Sequence, residues 1–373
     1  MRDGDRFAIG SVEFKILETP GHTPEGICAL LHEGREDEPA KLLTGDTLFI
    51  GDVGRPDLAG SVGFTAEKMA AMLYDSLHSK ILPLPDDTGV YPAHGAGSMC
   101  GRSISEETYS TLGAQRKTNY ALQPMSKEDF VAMMTTDLPE APAYFSTDAE
   151  INRSGAPNLQ GASRPAAMSA SEVKELAAQG ATLLDVRTAA EFGNGHVPGA
   201  INIGLTGQFA AWAGSLLDFT KPVVLIAEDE SNVEQAVMRL GRVGIETVRG
   251  YLLGSMYAWD EAGMKSVQTP QMPVGELDQQ LSVGAVQQLI DVRRPAEYTA
   301  DHIAVSRSIS LSGLSRHLDG LRKDVPTAVI CQSGYRSSAA AGLLQREGFS
   351  QVFNVVGGMA GYKALHAAKQ ANQ

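Results

Sequence analysis

The segment Cys331-Gln332-Ser333-Gly334-Tyr335-Arg336-Ser337 carries the clearest chemistry in the sequence. It follows the apolar run Thr327–Ile330 and opens a helical pattern from Ser337 to Arg346, so it reads as a strand-to-helix turn. A cysteine at such a turn faces the positive end of a helix dipole and a nest of backbone N–H groups. That environment favours the thiolate, the nucleophilic form of the side chain. Gly334 lets the loop curl with its amides inward, and Arg336 adds a fixed positive charge. Gln332, Ser333, Gly334 and Tyr335 complete a cradle for a thiolate, a persulfide or a small oxyanion. The plainer alternative is a structural cysteine buried at a strand end.

A second set of reactive residues lies in three short segments, Thr19-Pro20-Gly21-His22-Thr23, Leu43-Thr44-Gly45-Asp46-Thr47 and Tyr91-Pro92-Ala93-His94-Gly95. In each, a metal-ligating residue type follows an apolar strand and sits in a turn marked by Gly or Pro. Strand ends gathered at one sheet edge hold metal ligands rigidly, so His22, Asp46 and His94 form a candidate metal site. Arg55, in a Gly-Arg-Pro-Asp turn, has two readings: it meets an anionic substrate, or it is solvated at the surface. Cys100, six residues after His94, is either a second thiol near this site or a plain turn cysteine. Cys28, inside the apolar ICALL run, is core.

The elements that must position these residues fall into a repeat and an unpaired piece. Leu183-Leu184-Asp185-Val186-Arg187, Glu191 and His196 recur as Leu289-Ile290-Asp291-Val292-Arg293, Glu297 and His302, each 106 residues on (183 to 289, 196 to 302). A repeat of this length is a duplicated domain. In each copy short apolar runs alternate with helical patterns, which indicates a parallel sheet covered on both faces. Matching Ile226 to Ile330 puts Ala227 at the cysteine position, followed by Glu228-Asp229-Glu230, so the first copy forms no persulfide there and has a docking or structural role. The expected domains are 1–140, a connector over 141–165, 166–268 without the reactive cysteine, and 271–373 with Cys331. Within the first, strands are predicted over 12–19, 27–33, 41–49 and 89–94, with a helix capped by Thr65 and further helices over 103–119 and 126–137.

Composition narrows the partners. The 373 residues are 43% hydrophobic and 20% charged, which is globular usage, and the net charge of −13 disfavours nucleic acid and anionic membranes. Three cysteines build no disulfide framework, which suits a reducing compartment, and the expected location is cytoplasmic.

DVRRPAEY, the strand-ending CQSGYRS and the late GGM resemble a rhodanese domain, and DVRTAAEF with GHVPGAINI gives the first copy the same resemblance. The likeness implies that Cys331 attacks a sulfane-sulfur donor while the loop amides and Arg336 stabilise the Cys331 persulfide. Asp291, Arg293 and Glu297 match recurrent charged positions and are expected to form a network around the loop. The DHIAVS stretch departs from the usual GHIPGA-like turn, which is expected to alter the geometry there.

GDTLFIGDVGRPDLAG and VYPAHGAGSMCG resemble the metallo-β-lactamase superfamily, in particular its persulfide dioxygenase branch fused to rhodanese domains. TNYALQPM at 118–125 resembles the stretch that follows the metal domain there. By this resemblance the fold is α/β, a partial metallo-β-lactamase αβ/βα sandwich followed by two rhodanese-like doubly wound domains. One iron per chain is implied, with His22 and Asp46 as ligands and His94 near the iron or at a second metal; zinc is the alternative. The HxHxDH motif that supplies the remaining iron histidine has no counterpart, since the twenty-one residues before His22 contain no histidine. The expectation is therefore a half-domain with an exposed apolar sheet face and an unpaired edge, inviting homo-oligomers. The implied function is sulfane-sulfur metabolism: sulfur transfer through Cys331, coupled in the family to oxidation of glutathione persulfide to sulfite. Glutathione persulfide, thiosulfate or other sulfane-sulfur donors and thiol acceptors are the expected partners. The rivals are a two-zinc thioester hydrolase resembling glyoxalase II and a non-enzymatic sulfur carrier or docking protein.

Overall fold

Burial alternates along the central strands Ile27–His32 and Lys41–Gly45 of the first sheet. The computed structural model describes the chain except residues 33–39, 59–62, 97, 99, 103, 137, 139–143, 156–163 and 372–373. It divides into two units, 1–141 and 142–373. The first contains β1 (Arg6–Ile9), β2 (Val12–Glu18), β3 (Ile27–His32), β4 (Lys41–Gly45), a small ribbon of β5 (Leu48–Phe49) and β6 (Asp52–Val53), then α1 (Ala66–Ser76), β7 (Gly89–Pro92), β8 (Ser110–Thr111), α2 (Leu112–Thr118) and α3 (Lys127–Thr135). The main sheet runs β1-β2-β3-β4-β7-β8. On one face Leu17, Cys28, Leu30, Leu42 and Val90 pack with Ala70 and Leu73 of α1 and Phe130 and Met134 of α3. Thr65 caps α1 through Lys68 N–H, as its sequence position predicts.

The other face carries a Phe7–Phe14 stack at 4.8 Å, and Leu43 and Tyr91, register partners on β4 and β7, remain 43% and 36% exposed. The expected exposed apolar face is thus present, and among the described residues the outer edge of β1 pairs with no strand.

Strand direction matters most for the site. β2 and β3 are antiparallel, as are β3 and β4, and β4 runs parallel to β7. The carboxyl ends of β2, β4 and β7 therefore share one end of the sheet, ahead of His22, Asp46 and His94. The strand predicted over 41–49 breaks at Gly45, whose φ of 53° starts a turn closed by Thr47 N–H to Thr44 C=O, and this turn presents Asp46. The helix predicted from 103 starts only at Leu112, because Ser110 and Thr111 pair with β7 first and the Thr111 side chain then caps α2; residue 103 lies outside the described residues.

The expected connector contains a helix, α4 (Tyr144–Ser154), while 141–143 and 156–163 lie outside the described residues. Its sequence lacks a periodic apolar face, and tertiary packing supplies the anchor. Tyr144 packs with Phe209, Ala213 and Leu217, close enough that a Cβ on Gly214 would meet its ring at 2.5 Å.

The two copies are built alike. The first comprises β9 (Ala166–Met168), α5 (Ala170–Ala178), β10 (Thr182–Asp185), α6 (Ala189–Asn194), β11 (Ile201–Asn202), α7 (Phe209–Leu216), β12 (Val223–Ile226), α8 (Glu230–Gly241), β13 (Val248–Leu252) and α9 (Ser255–Glu261). The second comprises β14 (Gln271–Pro273), α10 (Val274–Ser282), β15 (Gln288–Asp291), α11 (Pro295–Ala300), β16 (Arg307–Ser308), β17 (Thr327–Ile330), α12 (Tyr335–Arg346), β18 (Val352–Val356) and α13 (Gly358–Ala371). Their sheets, β11-β10-β12-β13-β9 and β16-β15-β17-β18-β14, are parallel and topologically identical, with helices on both faces.

One apolar cluster runs through both copies, joining Val186, Ile201 and Phe209 to Val292, Ala340 and Leu343. Gly342 of α12 permits the approach, since a Cβ there would lie 2.8 Å from the Ala200 carbonyl. The buried Ser338 hydroxyl donates to Asn202 Oδ1 at 2.6 Å across the same contact. Among the described residues no helix is long and apolar enough to cross a membrane.

Candidate functional site

Cys331 directly follows β17 and is fully buried. Its sulfur accepts the Gly334 N–H at 3.1 Å and the Ser337 hydroxyl at 3.3 Å, both at the start of α12. Gly334 holds φ at 107°, the left-handed conformation that turns its amide inward. The loop is braced from behind by the late GGM motif. Met359 N–H donates to the Cys331 carbonyl at 2.8 Å, and Gly358 packs so closely that a Cβ would lie 2.4 Å from that oxygen. A glycine is required there because any side chain would push α13 off the loop.

The Arg336 guanidinium is held by both oxygens of Glu297, at 2.7 and 2.8 Å. Burial works against its charge, but Glu297 and the Cys331 sulfur outweigh that and raise its pKa. Burial likewise opposes the Glu297 carboxylate, and the Arg336 contact outweighs it and lowers its pKa. Arg293 is buried and chelated by Asp291 at 2.8 to 3.0 Å, and it also donates to the Asp301 carbonyl. The charged residues around the loop thus pair with one another. The DHIAVS departure leaves the turn's histidine contact unchanged: His302 Nδ1 meets Tyr298 C=O at 3.0 Å, as His196 meets Phe192 C=O at 2.8 Å.

A cleft of about 580 Å³ opens beside the loop, lined by Gln332, Ser333, Tyr335, Arg336, Arg294 and Glu297 from the second copy. Its opposite wall is Thr206, Gly207, Gln208 and Trp212 from the first. Tyr335 reaches across, its hydroxyl donating to the Gly204 carbonyl at 2.7 Å, and burial raises its pKa. The sequence singled out the loop but not this wall, whose residues carry no motif of their own.

The matching turn of the first copy is built differently. Only residues 227–229 separate β12 from α8, against 331–334 in the second copy. Asp229 caps α8, its carboxylate accepting the Asn232 N–H at 2.8 Å. A carboxylate therefore occupies the helix terminus that faces sulfur in the second copy. Glu191, the counterpart of Glu297, shares a hydrogen bond with Glu228, which raises the Glu228 pKa and lowers its own.

In the first unit, the sheet end brings His22, Asp46 and His94 together. His22 Nε2 lies 3.6 Å from Asp46 Oδ2, and His94 Nδ1 lies 2.7 Å from Asp46 Oδ1. That second pair is not aligned as a hydrogen bond, so among the described residues the buried Oδ1 has no hydrogen-bond donor. His22 Nδ1 meets the Arg55 carbonyl at 2.9 Å, which assigns the ring proton to Nδ1 and turns the Nε2 lone pair toward Asp46. Burial lowers the His22 pKa, against the pull of Asp46, and so favours the neutral ring. A neutral imidazole beside an orphaned carboxylate oxygen is a donor set that fits a divalent metal.

Arg55 departs from both of its sequence readings. It is 1% exposed, and its guanidinium is chelated by Asp57 at 2.7 and 2.6 Å, because the tight Gly-Arg-Pro-Asp turn brings the carboxylate back onto it. It is neither solvated nor presented to a ligand, and its backbone serves the site instead. Cys28 is core, as its sequence context predicts. The Cys100 sulfur lies within 4.8 Å of the ligand atoms of His22 and Asp46.

Known proteins bear on both halves. The rhodanese-like domain family matches residues 169–262 and 273–365. The solved structure of a metallo-β-lactamase from Staphylococcus aureus subsp. aureus COL is 32% identical, with a TM-score of 0.58, over 68% of this chain and 70% of that one. A probable metallo-hydrolase of Burkholderia pseudomallei (strain 1710b) is 33% identical over 139 residues, 36% of this chain and 44% of the relative. An uncharacterized protein of Aquifex aeolicus is 45% identical over 117 residues, 31% of this chain and 44% of its own length. The chain spans about half the length of the curated relatives it matches, 48% for an uncharacterized protein of Mycobacterium tuberculosis. With the fold, the duplicated sheets and these matches in agreement, the chain belongs to the rhodanese-like domain family, its two rhodanese-like domains following a metallo-β-lactamase-fold domain.

Proposed function

We propose that this protein transfers sulfane sulfur through a persulfide on Cys331. The observation that carries the reading is the pair of donors, Gly334 N–H and Ser337 hydroxyl, aimed at the Cys331 sulfur where α12 begins. Such preorganised donors stabilise negative charge wherever it develops on sulfur. In the first step the Cys331 thiolate attacks the outer sulfur of a donor such as thiosulfate. The donor S–S bond breaks, sulfite leaves with the bonding pair, and a Cys331 persulfide anion remains. An acceptor thiolate, or cyanide in an assay, then attacks the terminal sulfur and expels the Cys331 thiolate. Arg336 is a positioning residue in this scheme, fixing the loop through Glu297.

A cleft of about 580 Å³ is far larger than thiosulfate needs and lies in the usual range for organic ligands. It supports a thiol persulfide such as glutathione persulfide as donor or acceptor, with Arg294 available to a carboxylate and Trp212 to an apolar stem. The first copy, lacking the cysteine, supplies that wall.

The N-terminal domain belongs to the same chemistry in this reading. His22 and Asp46, with His94 beside them, would hold a metal here, iron for persulfide oxidation, and that metal would supply redox chemistry toward persulfide and dioxygen. The chain's own contribution is to fix the His22 ring through the Arg55 carbonyl and to keep it neutral by burial. Fusing the two activities keeps a sulfur species made at one site at high effective concentration for the other.

The test is to load the protein with thiosulfate and weigh the Cys331 peptide, then to follow sulfur transfer to cyanide or a thiol. The peptide gains one sulfur atom, and Cys331→Ser abolishes both loading and turnover while circular dichroism stays unchanged. Unchanged turnover in that variant overturns the reading.

A further inference from the structure

The Cys100 thiol is absorbed neither by the sulfur-transfer site nor by the expected metal ligands, yet it lies beside them. We infer that Cys100 is itself a metal ligand, its thiolate joining His22 Nε2 and the Asp46 carboxylate in a three-point site for a divalent cation of the zinc class. This rests on the metal reading of the N-terminal domain and adds a donor to it.

The three ligand atoms lie within 4.8 Å of one another, so one ion can reach all of them with small side-chain rotations. The surrounding backbone is built to keep them there. The Arg55 peptide bridges two of the three, its N–H donating to the Cys100 carbonyl at 2.9 Å and its carbonyl meeting His22 Nδ1 at 2.9 Å. Gly54, the residue before, is wedged against the other two loops: a Cβ on it would lie 2.0 Å from the Asp46 carbonyl oxygen and 2.7 Å from His22 Cβ. One dipeptide thus ties His22, Asp46 and Cys100 together.

The chain just after Cys100 is held at Arg102. Arg102 N–H donates to the buried Asp52 carboxylate at 2.6 Å, and Tyr120 holds the other oxygen of Asp52 at 2.7 Å. The Nε2 of His22, 3.6 Å from Asp46 Oδ2, and Asp46 Oδ1, which has no hydrogen-bond donor among the described residues, are further donor atoms of the same cluster. His94, whose Nδ1 lies 2.7 Å from that same Oδ1, stands where a fourth ligand or a substrate atom would enter.

The donor set decides the class of ion. One imidazole, one carboxylate and one thiolate favour zinc and cobalt over magnesium or calcium, which take oxygen. On binding, the Cys100 thiol proton leaves to solvent as the metal–sulfur bond forms, with no change in oxidation state.

The experiment titrates cobalt(II) into the reduced, metal-stripped full-length protein under anaerobic conditions. One cobalt per chain is expected, with visible ligand-field bands and a near-ultraviolet thiolate-to-cobalt charge-transfer band. Cys100→Ser loses the charge-transfer band and binds cobalt at least tenfold more weakly, whereas Cys331→Ser keeps the band. In the unmutated protein, zinc slows alkylation of Cys100, located by peptide mass, at least tenfold, which tests the proposal without relying on a variant's fold. Cobalt bound with ligand-field bands but no charge-transfer band overturns the Cys100 assignment and leaves a metal site at His22 and Asp46. No cobalt bound overturns both. Neither result touches sulfur transfer through Cys331, which is read in a separate assay.

Discussion

The backbone N–H of Gly334 meets the sulfur of Cys331 at 3.1 Å, and it points there because Gly334 sits at a φ of 107°. Space is not what excludes a side chain, since an added Cβ would come no closer than 3.6 Å to the Val355 carbonyl. Conformation is the cost, roughly 1–2 kcal/mol for an L-residue in left-handed backbone. Gly334→Ala is therefore expected to fold, to lose about 1 kcal/mol of stability, and to relax its strain by swinging the amide off the sulfur. Loss of one preorganised donor of this kind costs on the order of 10²-fold in turnover. Steady-state sulfur transfer beside a denaturant titration checks both parts.

Restoring the cysteine alone does not restore the first copy. Ala227→Cys in a Cys331→Ser background is expected to give no turnover above the Cys331→Ser protein. The Asp229 carboxylate already takes the Asn232 N–H, and the turn is one residue shorter than the loop that holds Cys331. Removing the cap with Asp229→Ala costs about 1 kcal/mol of stability. Measurable persulfide on the introduced thiol of the Ala227→Cys variant, by peptide mass, would defeat the argument that the helix terminus is occupied.

How much of this is legible in the sequence follows from which interactions are local. The Cys331 loop, the doubled sheets and the Thr65 cap are readable because a strand, a glycine turn and a helix start within a few residues of one another. The three turns bearing His22, Asp46 and His94 are readable as strand ends, and strand direction explains why they converge. Tyr144 is not, since it is anchored by Gly214, seventy residues away, and nothing periodic surrounds it. Arg55 escapes a local reading because its exposure depends on Asp57 folding back onto it and on a backbone contact with Cys100. The cleft wall at Gln208 and Trp212 exists only through the docking of one copy on the other.

That docking rests on a polar contact that can be dissected. Asn202 Nδ2 donates to the Asp185 and Arg187 carbonyls, which fixes the amide and leaves Oδ1 to Ser338. Ser338→Ala strands a buried acceptor and is expected to cost about 1–3 kcal/mol. Asn202→Ala is expected to cost more, and the double variant less than the sum, because the same bond is lost once. With the two copies less firmly held, KM for a bulky persulfide donor should rise more than KM for thiosulfate, which does not span the cleft. Additive stabilities, or equal shifts in the two KM values, would sink the claim that this contact sets the wall.

The buried His196 gives the first copy a pH dependence that can be signed in advance. Its ring stacks on Phe192 at 3.6 Å with Nδ1 on the Phe192 carbonyl, and burial lowers its pKa from 6.5 to about 4. The folded protein therefore keeps the ring neutral where the unfolded chain has already taken a proton. Stability is fully present above pH 6.5, falls as the pH drops toward 4, and levels off below that. The loss across the window is about 3 kcal/mol. His196→Gln has no charge to gain and should flatten this slope while retaining a donor for the Phe192 carbonyl. Trp212 and Trp259, the chain's two tryptophans, both lie in this copy, so urea titrations followed by their fluorescence at several pH values read the effect directly. An unchanged slope in His196→Gln would assign the acid sensitivity to carboxylates such as the Glu191–Glu228 pair instead.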